Sequence, residues 1–207
     1  MKKFEIVTEL SKEIFGKKLF RIRALISFGV VGKGEMGGWV EKEENLSQKG
    51  NAWVSGNARV SGDAWVSGNA WVSGNARVSG DAWVSGNARV SGDAWVSGNA
   101  RVSGDAWVSG NAWVSGNARV SGNAWVSGDA HWLTVGPVGS ENGFLSAFRQ
   151  KDNSIMVRRG CFEGTIDEFE SAVKETHGDN EFSKEYLALI PFVKLRLKEV
   201  EVNDEDE

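Results

Sequence analysis

The sequence has little cysteine, histidine or proline, and each shortage excludes a class of protein. Its 207 residues include one Cys, two His and two Pro. The single Cys161 cannot form an internal disulfide, which is typical of a reducing cytoplasm. One Cys and two His do not supply a closed zinc site, so we predict neither a metal nor another cofactor. The 26 Gly have no three-residue period, which excludes collagen-like and polyproline structures.

Long apolar runs are also missing, and the charge is unevenly distributed. No run of about 18 apolar residues occurs, so no membrane span is predicted. The charged residues near the start predict no secretion signal. Residues 1–50 contain 10 Lys and Arg against 7 Asp and Glu, residues 51–131 contain 5 against 5, and residues 132–207 contain 9 against 16. The neutral central region lacks clustered cations, so long nucleic acid is not an expected partner.

The central region repeats every six residues from Gly50 to about Trp132. Each hexad reads Gly-(Asn/Asp)-Ala-(Trp/Arg)-Val-Ser, and thirteen valines recur from Val54 to Val126. A Gly and an Asn or Asp in every hexad exclude a helix, and turn residues every six positions exclude a flat strand. The pattern predicts a coil whose corners are Gly-Asn or Gly-Asp. Ala and Val then point inward, while Trp, Arg and Ser point outward.

Three hexads per turn would stack every eighteenth residue, so the outward Trp and Arg positions form three columns. The first column contains Trp53, Trp71, Arg89, Trp107 and Trp125. The second contains Arg59, Arg77, Trp95 and Trp113, followed by His131. The third contains Trp65, Trp83, Arg101 and Arg119. Exposed apolar surface commonly marks a contact, so every Trp and Arg in these columns is a candidate binding residue.

Three interpretations of the columns remain open. Stacking of Trp on Trp and of Arg on Trp would stabilise the coil itself, by about 0.5–1.5 kcal/mol per aromatic pair. The same residue types are enriched at interfaces, which favours self-association or a protein partner. A column would also suit a small nucleotide, with Trp stacking on the base and Arg binding the phosphate.

The N-terminal end of the coil needs a cap, because an open end exposes unpaired backbone and the apolar interior. Strands are predicted at Phe4–Val7 and Lys18–Leu25, with a turn at Phe15–Lys17. Leu46 and Val54 are eight residues apart instead of six, so two extra residues should bulge at Gln48–Lys49.

The hexad pattern ends before Leu133, and the sequence that follows predicts a small β-β-α-α unit. Gly136–Ser140 is a turn cluster, and Phe144–Arg149 with Ser154–Arg159 predicts a hairpin. A capping box at Thr165 opens a helix to about residue 176. A second helix, from near residue 180 or 183 to 198, should be kinked or split at Pro191.

These features divide the chain into four predicted regions. They are a β cap at 1–38, the coil at 39–132, an α+β domain at 133–198 and a flexible acidic tail at 199–207.

The hexads resemble the hexapeptide-repeat family. Its motif, an aliphatic residue followed four positions later by a small one, fits Val54 with Ala58 and each later hexad through Val126 with Ala130. The resemblance implies a left-handed parallel β-helix and subunits that often assemble as trimers. The predicted fold is therefore mainly β, a left-handed parallel β-helix of hexapeptide repeats with an N-terminal β cap and a small C-terminal α+β domain. A homo-oligomer, trimer or dimer, is expected.

Two groups of residues bear on catalysis. Acyl transfer, the commonest activity of that family, uses a His as general base. The coil contains His131 alone, in its last hexad, and no inserted loop forms a pocket wall. Cys161 and His177 would suit a nucleophile–base pair, but nothing else in the sequence supports that chemistry. We predict no catalytic residues, and a hexapeptide-class acyltransferase is the alternative.

Segments outside the regular hexads resemble a group of phage and prophage hexapeptide-repeat proteins. The matching segments are Gly37–Ser47, Gly136–Ser140, Gly160–Thr165 and Glu175–Gly178. The resemblance implies a viral origin, and hence the cytoplasm of an infected bacterial host. We predict a phage-encoded, non-enzymatic binding protein that counteracts a host antiviral defence. It would bind an immune protein or sequester a small nucleotide signal. A structural or self-assembling viral component is a further alternative.

Overall fold

The computed structural model describes residues 2–199, and its N-terminal part is an antiparallel sheet of three strands. β1 (Phe4–Ile14) and β2 (Lys17–Ala24) form a hairpin, and β3 (Met36–Val40) pairs with β2. Phe15 and Gly16 form the turn with positive φ angles of 49° and 72°. Both predicted strands and the predicted turn are confirmed, and β1 extends beyond its predicted end.

A three-sided solenoid of about 5 turns follows β3 and confirms the predicted coil. Each side is a strand of two residues, formed by the Trp or Arg and the Val of one hexad. In chain order these strands are β4 (Trp53–Val54), β5 (Arg59–Val60), β6 (Trp65–Val66), β7 (Trp71–Val72), β8 (Arg77–Val78), β9 (Trp83–Val84), β10 (Arg89–Val90), β11 (Trp95–Val96), β12 (Arg101–Val102), β13 (Trp107–Val108), β14 (Trp113–Val114), β15 (Arg119–Val120) and β16 (Trp125–Val126).

Every third strand of the solenoid pairs in parallel, which produces three faces. The first face is β4, β7, β10, β13 and β16, and the third is β6, β9, β12 and β15. The second face is β5, β8, β11 and β14, and it continues the sheet of β1–β3. Val54 pairs with Val72 and Val72 with Val90, so the predicted 18-residue columns are confirmed.

The solenoid interior is filled by the Ala and Val of the hexads, which are buried throughout. Successive turns satisfy one another's backbone: the Trp71 N–H donates to the Ala88 carbonyl at 2.9 Å, and the Ser73 N–H donates to the Val90 carbonyl at 2.9 Å. One turn therefore cannot complete its hydrogen bonds alone, and the stack is the stable unit.

The first turn is longer than the others. Leu46 bridges to Val66, 20 positions along the chain, whereas Val54 pairs with Val72, 18 positions along. The two extra residues lie between Leu46 and Val54, which confirms the bulge predicted at Gln48–Lys49.

The C-terminal part is a four-stranded antiparallel sheet with two helices. The strands, adjacent in chain order, are β17 (Trp132–Val138), β18 (Gly143–Arg149), β19 (Ile155–Arg159) and β20 (Phe162–Thr165). The helices are α1 (Ile166–His177) and α2 (Glu181–Arg196). Two short 3-10 helices, Glu43–Asn45 and Asp129–His131, flank the regular turns of the solenoid.

The hairpin β18–β19 and the start of α1 agree with the sequence. The Thr165 hydroxyl accepts from the Glu168 N–H at 3.3 Å, and the Glu168 carboxylate accepts from the Thr165 N–H at 2.7 Å. This is the predicted capping box. Residues 200–207 of the predicted acidic tail lie outside the described residues. The limits of the four regions predicted from the sequence, 1–38, 39–132, 133–198 and 199–207, stay predictions.

Two expectations are wrong in part. The predicted turn cluster at Gly136–Ser140 is shorter, because Gly136–Val138 belong to β17 and only Gly139 and Ser140 lie in the turn to β18. Gly136 and Pro137 interrupt the register of this edge strand, a position that tolerates the missing proline N–H. Helix α2 is not split at the exposed Pro191, since it continues to Arg196, and the alternative of a kink stays a prediction. No helix within residues 2–199 is long and apolar enough to cross a membrane.

Candidate functional site

The outward Trp positions at the two ends of the first face are buried. Trp53 has no exposed surface, and Trp125 is 7% exposed. Phe4 and Phe28 lie edge-on to Trp53, at centroid distances of 6.5 and 5.5 Å, and Lys151 lies over Trp125 at 5.4 Å. The expectation that these two rings face solvent is wrong, because residues flanking the solenoid cover its first and last turns.

The third face is a continuous stack of rings and guanidinium groups. Trp65 and Trp83 stack with centroids 5.1 Å apart, and the Arg101 guanidinium lies 5.5 Å from the Trp83 ring. The Trp83 indole N–H donates to the Ser67 hydroxyl at 3.3 Å. Arg119 follows at the end of the column and is exposed.

The second face repeats this arrangement in its last two strands. Trp95 and Trp113 stack at 5.1 Å with nearly parallel planes, and Arg77 lies 5.9 Å from the Trp95 ring. Their indole N–H groups donate to Ser79 at 3.0 Å and to Ser97 at 3.1 Å. Much of the ladder therefore stabilises itself, as the first of the three interpretations expects.

Arg59, at the start of the second face, is half-buried under the N-terminal hairpin. Lys12 lies 3.8 Å from the centroid of Trp39, to which Arg59 pairs in register. Burial, and then the charges of Arg59 and Arg21, lower the pKa of Lys12. Arg59 therefore packs beside the cap, and it lines a groove of about 210 Å³ next to the hairpin.

Trp71, on the first face, differs from the other Trp residues of the hexads. It is half-buried and packs on the solenoid core. Within residues 2–199, its indole N–H has no hydrogen bond and its ring has no aromatic or cationic partner. Arg89, its neighbour in register, lies instead over Trp107 at 5.6 Å, and Trp107 contacts Trp125 at 4.5 Å. The Trp71 ring therefore has no stacking partner among the described residues, and the cationic Arg89 is its neighbour in register.

A groove opens at this position, and we call it the Trp71–Arg89 groove. Its volume is about 430 Å³. Its walls are Val30, Asn69, Trp71, Ser73, Arg89, Ser91 and Trp107. Val30 is 85% exposed at the rim. No ion pair to Arg89 occurs in the part of the chain that the structure describes. The groove therefore combines an open aromatic ring, an uncompensated guanidinium and hydroxyl groups.

The histidine of the last hexad is engaged by the chain itself. The His131 Nδ1 accepts from the Ser127 N–H at 3.2 Å and lies 3.1 Å from the Ser127 hydroxyl. Burial lowers the pKa of His131, which a hydrogen bond with the backbone of Glu199 opposes. The Nδ1 of His131 thus has partners within the fold.

Cys161 and His177 line one groove of about 260 Å³ in the C-terminal part. Cys161 is exposed, and His177 packs against Phe182 and Tyr186 at 6.2 and 5.7 Å. No hydrogen bond joins the thiol to the imidazole within the described chain. The structure therefore brings the two side chains to one surface without the contact that activates a nucleophile.

Sequence reasoning missed two features. The corners carry amide ladders: the Asn69 amide donates to Asn87 at 3.0 Å, and the Asn87 amide donates to Asp105 at 2.9 Å. The 18-residue spacing of Asn and Asp was a sufficient signal for these ladders. Val30 was missed as part of the groove, because nothing in its sequence context indicates that the loop before β3 reaches the first face.

Comparison with known proteins agrees with this architecture. The sequence model of one family, the YdcK beta solenoid repeat, matches residues 52–68, 70–86, 82–98, 94–110 and 112–128. A comparison with curated proteins finds no match. The matched stretches lie within the solenoid and leave the caps and the C-terminal part uncovered. The chain is a mainly β protein built on a repeat β-solenoid, similar in its repeats to that family.

Proposed function

We propose that the chain is a non-enzymatic binding protein whose Trp71–Arg89 groove takes a small nucleotide. The open ring of Trp71 beside the unpaired Arg89 is the observation that carries this proposal. Base-on-aromatic stacking contributes about 1–3 kcal/mol per base. A guanidinium binds a phosphate through charge-assisted hydrogen bonds. The groove holds one group of each kind.

The proposed biological role is to sequester a small nucleotide signal of a host antiviral defence. It rests on the resemblance of the flanking segments to phage and prophage proteins. The hexapeptide class and the left-handed sense of the coil, which the resemblance of the hexads implies, are part of the same proposal. Binding of a host immune protein is the alternative within the same role. The exposed pair Trp95 and Trp113 on the second face would suit self-association into a dimer or trimer.

The state of His131 supports a binding role over acyl transfer. A general base needs a free nitrogen aimed at the substrate hydroxyl or amine. The Nδ1 of His131 is held by Ser127, and the side chain is half-buried at the end of the solenoid. Turnover of acetyl-CoA that disappears in His131→Ala would establish the acyltransferase alternative instead.

Calorimetric titration tests the proposal with the four ribonucleoside monophosphates and their cyclic forms. At least one should bind, and Trp71→Ala and Arg89→Gln should each weaken it about tenfold or more. Trp113→Ala is the matched control, since it removes an exposed ring from another face. The affinity of Trp113→Ala for the nucleotide should equal that of the wild type. Absence of binding to all eight compounds would refute the proposal, as would equal losses in Trp71→Ala and Trp113→Ala.

A further inference from the structure

A second groove lies where the third face meets the C-terminal sheet. Its volume is about 180 Å³. The lining consists of Trp83, Ser85, Arg101, Ser103, Arg119 and Arg158. Two of its arginines come from the solenoid and the third from β19. Neither part of the chain builds the groove alone.

The charge in this groove is not balanced. Arg101 and Arg119 are paired directly in register on adjacent parallel strands, which lie about 4.8 Å apart. Like charges opposite each other on neighbouring strands repel. Neither arginine has a carboxylate partner among residues 2–199. Arg158 has one, Glu163 at 3.5 Å, whose carboxylate also accepts from the Ser121 hydroxyl at 2.8 Å. Three guanidinium groups thus face one carboxylate.

Two of the three guanidinium groups have contacts that position them. The Arg101 guanidinium lies 5.5 Å from the Trp83 ring, and the Arg158 guanidinium lies 3.5 Å from the Glu163 carboxylate. At Arg119 the backbone N–H donates to the Ser146 hydroxyl at 3.1 Å, which ties the strand that carries Arg119 to the C-terminal sheet. Cations that are already positioned lose less entropy when an anion binds.

We infer that the groove formed by Arg101, Arg119 and Arg158 binds the phosphate groups of a small molecule, a pyrophosphate being the best fit to three cations. Guanidinium groups present paired N–H donors that match phosphate oxygens, and the hydroxyls of Ser85 and Ser103 add donors at the rim. The anion would separate two like charges that nothing else neutralises. Residues 51–131 contain 5 Arg against 5 Asp, so the solenoid as a whole is neutral, which disfavours a long polyanion. This site is on a different face from the Trp71–Arg89 groove and does not depend on the function proposed for that groove.

Titration of the full chain with inorganic pyrophosphate at fixed low ionic strength tests the inference. Pyrophosphate should bind the wild type, and Arg119→Gln, Arg101→Gln and Arg158→Gln should each weaken it about tenfold or more. Arg77→Gln is the matched control, because Arg77 lies 5.9 Å from Trp95 much as Arg101 lies 5.5 Å from Trp83. The affinity of Arg77→Gln for pyrophosphate should stay at the wild-type value. No binding by the wild type, or an equal loss in Arg77→Gln and Arg119→Gln, would overturn the inference.

Thermal melting separates binding from folding. Arg119 is exposed, so Arg119→Gln should fold normally and lose the rise in melting temperature that pyrophosphate gives the wild type. An equal rise in the melting temperature of Arg119→Gln would contradict the proposed site.

Titration with ADP in the Trp71→Ala background identifies the source of the phosphate. Binding at least as tight as that of pyrophosphate indicates a nucleotide, and weaker binding indicates a free polyphosphate.

Discussion

The stacking of corner on corner makes a sharp prediction about Gly86. Its φ is +67°, and a Cβ placed there would lie 2.8 Å from the Gly104 nitrogen and 3.0 Å from the Gly104 oxygen. The Gly104 carbonyl cannot move away freely, because it accepts from the Asn87 N–H at 2.8 Å. Gly86→Ala therefore meets two costs, the left-handed backbone and a clash with the next turn.

Gly122 separates the two costs, since it lies in the same column two turns later. Its φ is +61°, its carbonyl accepts from the Asp105 N–H at 3.0 Å, and a Cβ there would have nothing within 4 Å. Gly122→Ala pays only for the backbone, about 1–2 kcal/mol, offset by about 0.4–1 kcal/mol from the stiffer unfolded chain.

Gly86→Ala adds an overpacking cost of about 1–3 kcal/mol. We therefore expect Gly86→Ala to lower the free energy of unfolding by about 2 kcal/mol more than Gly122→Ala does. Urea denaturation followed by far-UV circular dichroism measures both variants. Equal losses would contradict the predicted clash, because they would show that the next turn yields to the added methyl group.

Three further outcomes follow from the structure. Trp53→Ala should lower the free energy of unfolding by about 3–5 kcal/mol, because the Trp53 ring is buried. Trp113→Ala should lower it by less than about 1.5 kcal/mol, because the Trp113 ring is 49% exposed. Similar losses in melting experiments would contradict the burial of Trp53. Burial lowers the pKa of Lys3 to about 8, so between that pH and its ordinary pKa near 10.5 the unfolded chain binds the proton and the folded chain does not. The free energy of unfolding should therefore rise with pH across this window in the wild type and not in Lys3→Met. Parallel pH profiles of the two proteins would contradict the lowered pKa of Lys3. Thr165→Ala should cost about 0.5–2 kcal/mol through loss of the α1 cap, while an unchanged melting temperature would show that the capping box contributes little.

The solenoid could be predicted from the sequence because the same physical requirement recurs in every hexad. Each Gly allows a corner, each Val fills the interior, and the interval between hexads sets the register. The turn at Phe15–Gly16 and the cap of α1 at Thr165 were equally local, and both were predicted.

The exposed fraction of each Trp side chain depends on residues far away in the sequence, so it could not be predicted from the hexad itself. Trp53 and Trp71 occupy identical positions in their hexads, yet the first is buried by Phe4 and Phe28 and the second borders a groove. That difference depends on how the N-terminal region folds over the first turn. The arginine groove likewise needs Arg158, which lies 39 positions after Arg119 and meets it only through the C-terminal sheet.

Native mass spectrometry gives a direct test of whether the Trp71–Arg89 groove holds a small nucleotide. The native mass of the protein purified from cells is compared with its denatured mass, beside Trp71→Ala prepared in the same way. The native wild-type species should carry the extra mass of a nucleotide, and Trp71→Ala should lack it. A wild-type species with the bare mass of one or several chains would contradict nucleotide binding in this groove, and so would an extra mass that Trp71→Ala retains.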